Sequence, residues 1–469
     1  MDVCAPPTGA FILATIKEVE TNSSNIIGID FGTTNSSVAF ASKGKVRMVQ
    51  FPAAKGITHS SRSLLYLQRL MPVARRPVSV WTGAEAIEHY LATDSFNDEV
   101  QGRLIQSLKS YLSARNLTGT EIFGRQYRFQ DLVTRILSDL RQRASELLGF
   151  EITRAVAGRP VMFVGAESEE DNEFALDRLH QSFLQAGFTH VEFAMEPVAA
   201  AYAYEQTTAR DELLLIGDFG GGTTDFSLLR VGPSVRTSHG LQVLGNTGVG
   251  IAGDAFDARI VRRLISPALG SESTTRSSGK LMPTLPAWVY ANLERWHTLS
   301  FLRTRAAMEM LRTAEKRASD PEKIEALTTI VEHDLGYRLH EAVQRVKIDL
   351  SEREQAEFVL DTDILHLRAP VTRAEFEQWI APDVARMETG LEELLRITGV
   401  APSQVDRVFL TGGTSLVPAV RHIFTQRFGE DRVQSGEAFT SVAYGLALMA
   451  EGRTSFCNKT LPVQQIHPG

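Results

Sequence analysis

The chain reads as a two-lobed α/β protein, and three features predict this. A strand–Asp–Gly–Thr–Thr–strand pattern occurs twice, as IIGIDFGTTNSSVAF at Ile26–Phe40 and as LLLIGDFGGGTTDFSLLRV at Leu213–Val231. Each copy is followed by its own series of strands and amphipathic helices. At 469 residues, the chain also exceeds what one hydrophobic core usually serves.

Residues 1–24, with Pro6, Pro7 and Gly9, read as a loosely ordered extension. The first lobe spans 25–206. Apolar runs at Ile26–Asp30, Ser36–Ala41, Val46–Phe51 and Ser63–Leu67, with a turn at Ser42–Lys45, predict an antiparallel meander. Asp131–Leu148 is a helix, because Leu132, Val133, Ile136, Leu137, Leu140, Ala144 and Leu147 recur at three- and four-residue steps. A strand at Ala155–Val156 leads through Gly158, Arg159 and Pro160 into a second strand, Val161–Val164. The helix Glu169–Ala186, the strand Val191–Met195 and the helix Val198–Glu205 complete the lobe.

The second lobe, 207–451, opens on the second hairpin. Pro267–Pro286 is rich in Gly, Ser, Thr and Pro and reads as a mobile loop. Asp320-Pro321 starts a helix, and its apolar period runs from Ile324 to Leu350. A strand at Pro370–Val371 and a helix at Arg373–Thr398 follow. The run VDRVFLTGGTSLVPAVRHIFTQRFG then gives a buried strand, a Gly-Gly turn and a helix entered through Pro418. Residues 452–469 form a tail.

Composition removes several classes. A net charge of -7 gives no support to nucleic-acid binding through basic surface. Cys4 and Cys457, near opposite ends, allow neither a disulfide framework nor a cysteine zinc site, and they fit a reducing, cytoplasmic setting. No segment has the roughly 20 apolar residues of a membrane helix. The apolar run Ala10–Ile16 lacks the basic stretch of a secretory signal. Gly248, Gly250 and Gly253 spell a dinucleotide fingerprint, but they follow a loop rather than the strand of a βαβ unit. The 11 histidines show no metal-ligand spacing. Trp81, Trp288, Trp296 and Trp379 read as core or lobe-packing residues.

The duplicated pattern carries the chemistry. Gly32 and Gly220, Gly221 and Gly222 leave no Cβ to hold a ligand away. Backbone N–H groups in such turns converge on an anion, and threonine hydroxyls add donors. Two hairpins facing each other would grip a polyphosphate, with Asp30, Asp218 and Asp225 positioning a magnesium ion through its waters.

These hairpins, with the Thr411-Gly412-Gly413 turn, resemble the actin/heat-shock/sugar-kinase ATPase superfamily. MEPVAAAYAYE at Met195–Glu205 looks like the lobe-joining segment of DnaK-type heat shock protein 70 chaperones, and VKIDLS at Val346–Ser351 resembles that family's adenosine-contacting helix. The likeness spans about Ile26 to Glu451 and is nearest to the short YegD-type members, which hold little beyond the nucleotide-binding domain. It implies the two-lobed actin-like ATPase fold, built from duplicated ribonuclease H-like domains, with an insertion at about 266–321 and no C-terminal peptide-binding domain.

The resemblance implies a slow Mg-dependent ATPase with ATP/ADP and Mg2+ as cofactors. It also implies a protein client or co-chaperone, with no nucleic-acid or membrane partner. Gly32, Thr33, Thr34 and Asn35 match the first phosphate loop; Gly220, Gly221, Gly222 and Thr223 match the second. Asp30, Asp218 and Asp225 match the acids around magnesium and the attacking water. Lys109 matches the lysine on the γ-phosphate, although Ser113 and Ala114 replace a Gly-Arg pair after it. Glu196 matches the acid at the lobe junction. Gly253 and Asp254 match the adenosine side, Lys347 and Ser351 the ribose and adenine contacts, and Gly412 and Gly413 the turn beneath the base. Leu416 stands where an arginine usually stacks on adenine, and Phe439 where an acid is usual. Pro160 matches the hinge proline, with Ser168 near its missing arginine partner. A small-molecule kinase, an actin-like filament protein and a regulatory ATP-binding module remain open as alternatives.

Overall fold

Two mixed sheets with the same strand order form the frame. A computed structural model describes residues 25–53, 56–70, 78–93, 100–206, 208–238, 242–277, 280–294, 299, 302–435 and 441–453. In the first half, β1 (Ile26–Phe31), β2 (Asn35–Ser42), β3 (Lys45–Met48), β4 (Arg154–Arg159) and β5 (His190–Met195) assemble in the order β5-β4-β1-β2-β3. In the second half, β6 (Glu212–Phe219), β7 (Thr224–Val231), β8 (Gln242–Val249), β9 (Arg407–Thr411) and β10 (Val433–Ser435) assemble as β10-β9-β6-β7-β8. The directions agree as well. β1 pairs antiparallel with β2 and parallel with β4, and β6 pairs antiparallel with β7 and parallel with β9.

The central strands are almost wholly apolar because both their faces are covered. Helices α1 (Phe129–Leu148) and α2 (Glu169–Gln185) pack Leu137, Leu140, Leu179 and Phe183 with Ile27, Ile29 and Phe31. Next in order are α3 (Glu196–Glu205), α4 (Gly253–Ile260), α5 (Gly336–Glu352), α6 (Arg373–Thr398) and α7 (Ser441–Arg453). α3 arises in the first half yet packs on β6 and β7, while α7 returns from the second half to β1, β2 and β4. The two helices also pack on each other, so the halves share one buried seam of Ala199, Ala200, Ala201, Leu214, Ile216, Leu446 and Ala450. α6 starts at a Thr372/Glu375 capping box and stops at Gly399, whose φ is 64°.

Four sequence expectations change. Val161–Val164 is not a strand: Asp225 accepts from the Val161 N–H, and Asn172 bonds both the Phe163 N–H and the Val161 carbonyl, so side chains use the groups a ladder would need. Pro267–Pro286 is largely ordered. Its parts include the helical turn Ser266–Ala268 and a hairpin of Thr274–Ser277 with Lys280–Pro283, anchored by buried Leu269 and Leu285. The helix from Pro321 stops at Glu332 and α5 restarts at Gly336, because Asp334 takes a left-handed φ of 52°. Trp288 is exposed, Trp81 and Trp379 are partly buried against core residues, and Trp296 lies outside the described residues. The extension 1–24 and most of the tail, 454–469, also lie outside them.

Candidate functional site

The β1–β2 and β6–β7 turns are closed alike. The Gly32 N–H donates to the Asn35 carbonyl at 3.1 Å, and the Gly220 N–H donates to the Thr223 carbonyl at 3.0 Å. They also face each other. A Cβ built on Gly221 would fall 2.4 Å from Thr34 Oγ1, and one on Gly222 would fall 3.6 Å from Thr33 Oγ1 and from Ser110 Oγ. Loops almost two hundred residues apart therefore meet with only glycine-sized space between them. Gly412, at φ 84°, lets the third turn slide under the second hairpin, where a Cβ would sit 2.0 Å from the Phe219 carbonyl oxygen.

A charged cluster sits beside these turns. Lys109 lies in the short 3-10 helix Leu108–Tyr111, and Glu196 begins α3; Nζ and Oε1 are 2.7 Å apart, with both side chains buried. Asp30 ends β1, Asp218 ends β6 and Asp225 lies in β7, directly across from Asp218 in the ladder. Burial, then the Glu196 carboxylate, pushes Asp30 and Asp218 well above the usual carboxylate range. Burial and Glu196 raise Asp225 to about 7, against the pull of the Thr223 hydroxyl and the Val161 and Met162 N–H groups. Burial opposes the Lys109 charge, but Glu196 and Asp30 outweigh it and hold the ammonium above its ordinary value. The site thus gathers four carboxylates around one ammonium, a donor set of oxygens that suits a hard divalent cation. No three metal-ligating side chains among the described residues stand close enough to share one ion directly.

On the other side, the Asp254 N–H donates to the Gly221 carbonyl at 2.8 Å, and the Thr414 hydroxyl donates to the Gly220 carbonyl at 3.1 Å. Gly253 at the start of α4 is packed so closely that a Cβ would lie 2.7 Å from Thr414 Oγ1 and 3.3 Å from Lys347 Nζ. Lys347 pairs with the buried Asp257 at 2.7 Å, and Ser351 Oγ turns back onto the Lys347 carbonyl at 2.9 Å. The expected loop before the glycine fingerprint is in fact β8, which includes Gly248, but β8 runs antiparallel to β7, so the fingerprint is still not part of a βαβ unit. Gly413 opens the 3-10 turn Gly413–Leu416, whose Leu416 is exposed. Ser168 caps α2 by accepting from the Asp171 N–H, and Pro160 is buried just after β4. Phe439 lies outside the described residues.

Sequence reasoning did not single out Ser110, the Val161 and Met162 amides on Asp225, or the role of Asp257 as the counter-ion of Lys347. Nothing local marks them, since each acquires its part only when distant segments fold together.

Paired glycine hairpins that face each other, beside a buried lysine and four carboxylates, mark this as an α/β protein with two matched halves meeting at one charged junction. The family described as Hsp70 protein matches residues 26–278 and 320–467. The chain belongs to the Hsp70 family. It is similar to the chaperone protein DnaK of Deinococcus proteolyticus, at 26% identity over 437 residues, covering 90% of this chain and 58% of that protein. It is also similar to the DnaK proteins of two Thermus thermophilus strains, at 26% identity over 426 residues, covering 90% of this chain and 60% of each. The chain thus spans about three fifths of the length of these relatives.

Proposed function

We propose that the chain binds ATP with magnesium in the cleft and slowly hydrolyses it to ADP and phosphate, its two lobes opening and closing with nucleotide state. The observation that carries this reading is the apposition of the Thr33–Thr34 and Gly221–Gly222 turns beside the Lys109–Glu196 pair. In this reading the turn amides and the Thr33, Thr34 and Thr223 hydroxyls cradle the phosphates, with Asn35 fixing the first turn. Lys109 faces the γ-phosphate, where developing charge needs a fixed cation. Asp218 and Asp225 orient water and the hydrated cation, and Asp30 and Glu196 complete the charge balance. Magnesium, held through its waters, neutralises phosphate charge. Gly253, Asp254, Lys347, Ser351, Gly412 and Gly413 form the nucleoside side.

The matched strand orders support a duplicated ribonuclease H-like architecture with lobes at 25–206 and 207–451. The interval 279–319, unmatched by the family, supports an insertion within about 266–321. The lobe-joining motif favours the DnaK-type branch, and the resemblance as a whole favours a YegD-like member. A chaperone role is supported by the relatives' printed name, chaperone protein DnaK, and a protein client and a cytoplasmic setting belong to the same reading. No helix among the described residues is long and apolar enough to cross a membrane.

Calorimetry with Mg-ATP and single-turnover hydrolysis test the proposal. Lys109→Ala and Asp218→Asn should still bind Mg-ATP but hydrolyse it at least about a hundredfold more slowly, the scale of one lost electrostatic group. Absence of binding heat, normal turnover in both variants, or turnover that requires a sugar acceptor would each overturn it.

A further inference from the structure

Arg178, on α2, is 4% exposed, and no carboxylate is among its hydrogen-bond partners. Its Nη1 donates to three backbone carbonyls: Tyr111 at 3.2 Å, Leu112 at 3.0 Å and Ala114 at 3.3 Å. Nη2 reaches Gln130 Oε1 at 3.4 Å, and the guanidinium lies 5.3 Å from the Phe174 ring centroid. Burial holds the guanidinium below the ordinary arginine value. A buried cation with no counter-ion among the described residues is costly, so its solvation by the carbonyls at the end of one turn calls for an explanation beyond packing.

That turn begins at Ser107, a non-glycine residue at φ 57°, and carries Lys109 two residues later. A left-handed serine is strained and persists only where surroundings enforce it. The carbonyls that Arg178 gathers are those at the negative end of the 3-10 helix that carries Lys109. The same turn leads into Ser113, whose hydroxyl bonds the Val164 carbonyl, and a Cβ on Gly222 would sit 2.7 Å from Val164 Cγ2. One guanidinium therefore braces the segment carrying the γ-phosphate lysine and, through Val164, the floor of the second hairpin.

We propose that Arg178 is a positioning residue for Lys109: it ties down the turn behind the lysine and fixes where the ammonium points. This rests on the reading of Lys109 as the γ-phosphate cation.

The test uses Arg178→Met and Arg178→Lys in the full chain, each alone and combined with Lys109→Ala. Arg178→Met should slow single-turnover hydrolysis about tenfold or more while Mg-ATP affinity stays within about threefold, as expected when a reacting group is misplaced. In the Lys109→Ala background it should add almost nothing, because the two act through one group. Amide exchange at 110–114 should accelerate about tenfold without ligand. Arg178→Lys keeps the charge on one nitrogen but loses the second nitrogen that reaches Gln130 and the planar fork, so it should show the same pattern more weakly, and it carries the comparison if the methionine variant does not fold. Equal losses with and without Lys109, or unaltered exchange in the turn, would overturn the assignment. Wild-type turnover in Lys109→Ala would instead sink the catalytic reading, while the exchange result still judges the clamp.

Discussion

Single residues here are tuned by who surrounds them more than by what they are. Asp225 and Asp383 are both buried aspartates, yet Asp225 sits at about 7 beside Glu196, while Asp383 is paired with Arg259 at 2.7 Å. Asp225 faces a second carboxylate while Asp383 faces a guanidinium, so burial raises the first and the second has a counter-charge to offset it. His340 shows the opposite pressure. Partly buried near Lys347 and Arg62, it is pulled from 6.5 down to about 4, chiefly by burial, although Asp257 pulls the other way. A histidine whose folded value lies below its unfolded one binds fewer protons when folded, so stability is complete above about 6.5 and is lost as pH falls toward 4. After allowance for solvent screening, the loss should reach at most about 2 kcal/mol. Thermal melts of wild type and His340→Gln between these limits check it, and the variant should show a flatter acid limb. An identical acid limb in both proteins contradicts this account.

Elements were legible where the information is local. Strand, aspartate, glycine and threonine lie within a few residues in each hairpin, so β1–β2 and β6–β7 could be read directly, and the leucine period of α1 fixed its buried face. What escaped was set from elsewhere. Val161–Val164 has a strand's composition, but its amides are taken by Asp225 and Asn172. The break at Asp334 needs a left-handed residue that carries no glycine to announce it. Arg178 carries no signal in the sequence, because only the fold brings the turn after Lys109 against it. The site followed the same division: its hairpin residues were readable, its bracing residues were not. The α3–α7 seam extends this to packing. A Cβ on Gly445 would lie 1.8 Å from the Ala199 carbonyl oxygen, and one on Gly28 would lie 2.3 Å from the Ala447 nitrogen. Both neighbours are backbone and cannot rotate away. Gly445→Ala should therefore force the two helices apart and cost about 1–3 kcal/mol, measured by urea unfolding. Unchanged stability would mean that the seam has slack the structure does not show.

At the scale of the whole molecule, two bridges flank the facing hairpins and join the halves among the described residues. One is the α3–α7 seam. The other joins the first half's helix Gly83–Ala92 and strand Leu64–Leu70 to the second half's α5 and the residues before it. There the Tyr90 hydroxyl donates to the Asp334 carbonyl, which the left-handed backbone presents. Tyr90 meets Tyr66 and Tyr337 edge to face, with centroids 5.8 Å and 5.7 Å away. Arg62 reaches Gln344 at 3.5 Å, and Leu64, Tyr66 and Leu104 join the second half's buried cluster. If the seam acts as the pivot, the cleft cannot widen without parting this aromatic contact, so its strength sets a barrier to nucleotide release. One edge-to-face pair and one hydrogen bond together contribute roughly 1–3 kcal/mol, which corresponds to about a fivefold to hundredfold change in rate, tenfold lying near the lower end. Tyr90→Ala should therefore release a fluorescent ADP analogue about ten times faster in a stopped-flow displacement. Tyr90→Phe, which keeps the ring and loses only the hydroxyl, should fall between. If both variants release at the wild-type rate, the halves part by a motion that leaves this bridge closed, and the seam cannot be the pivot.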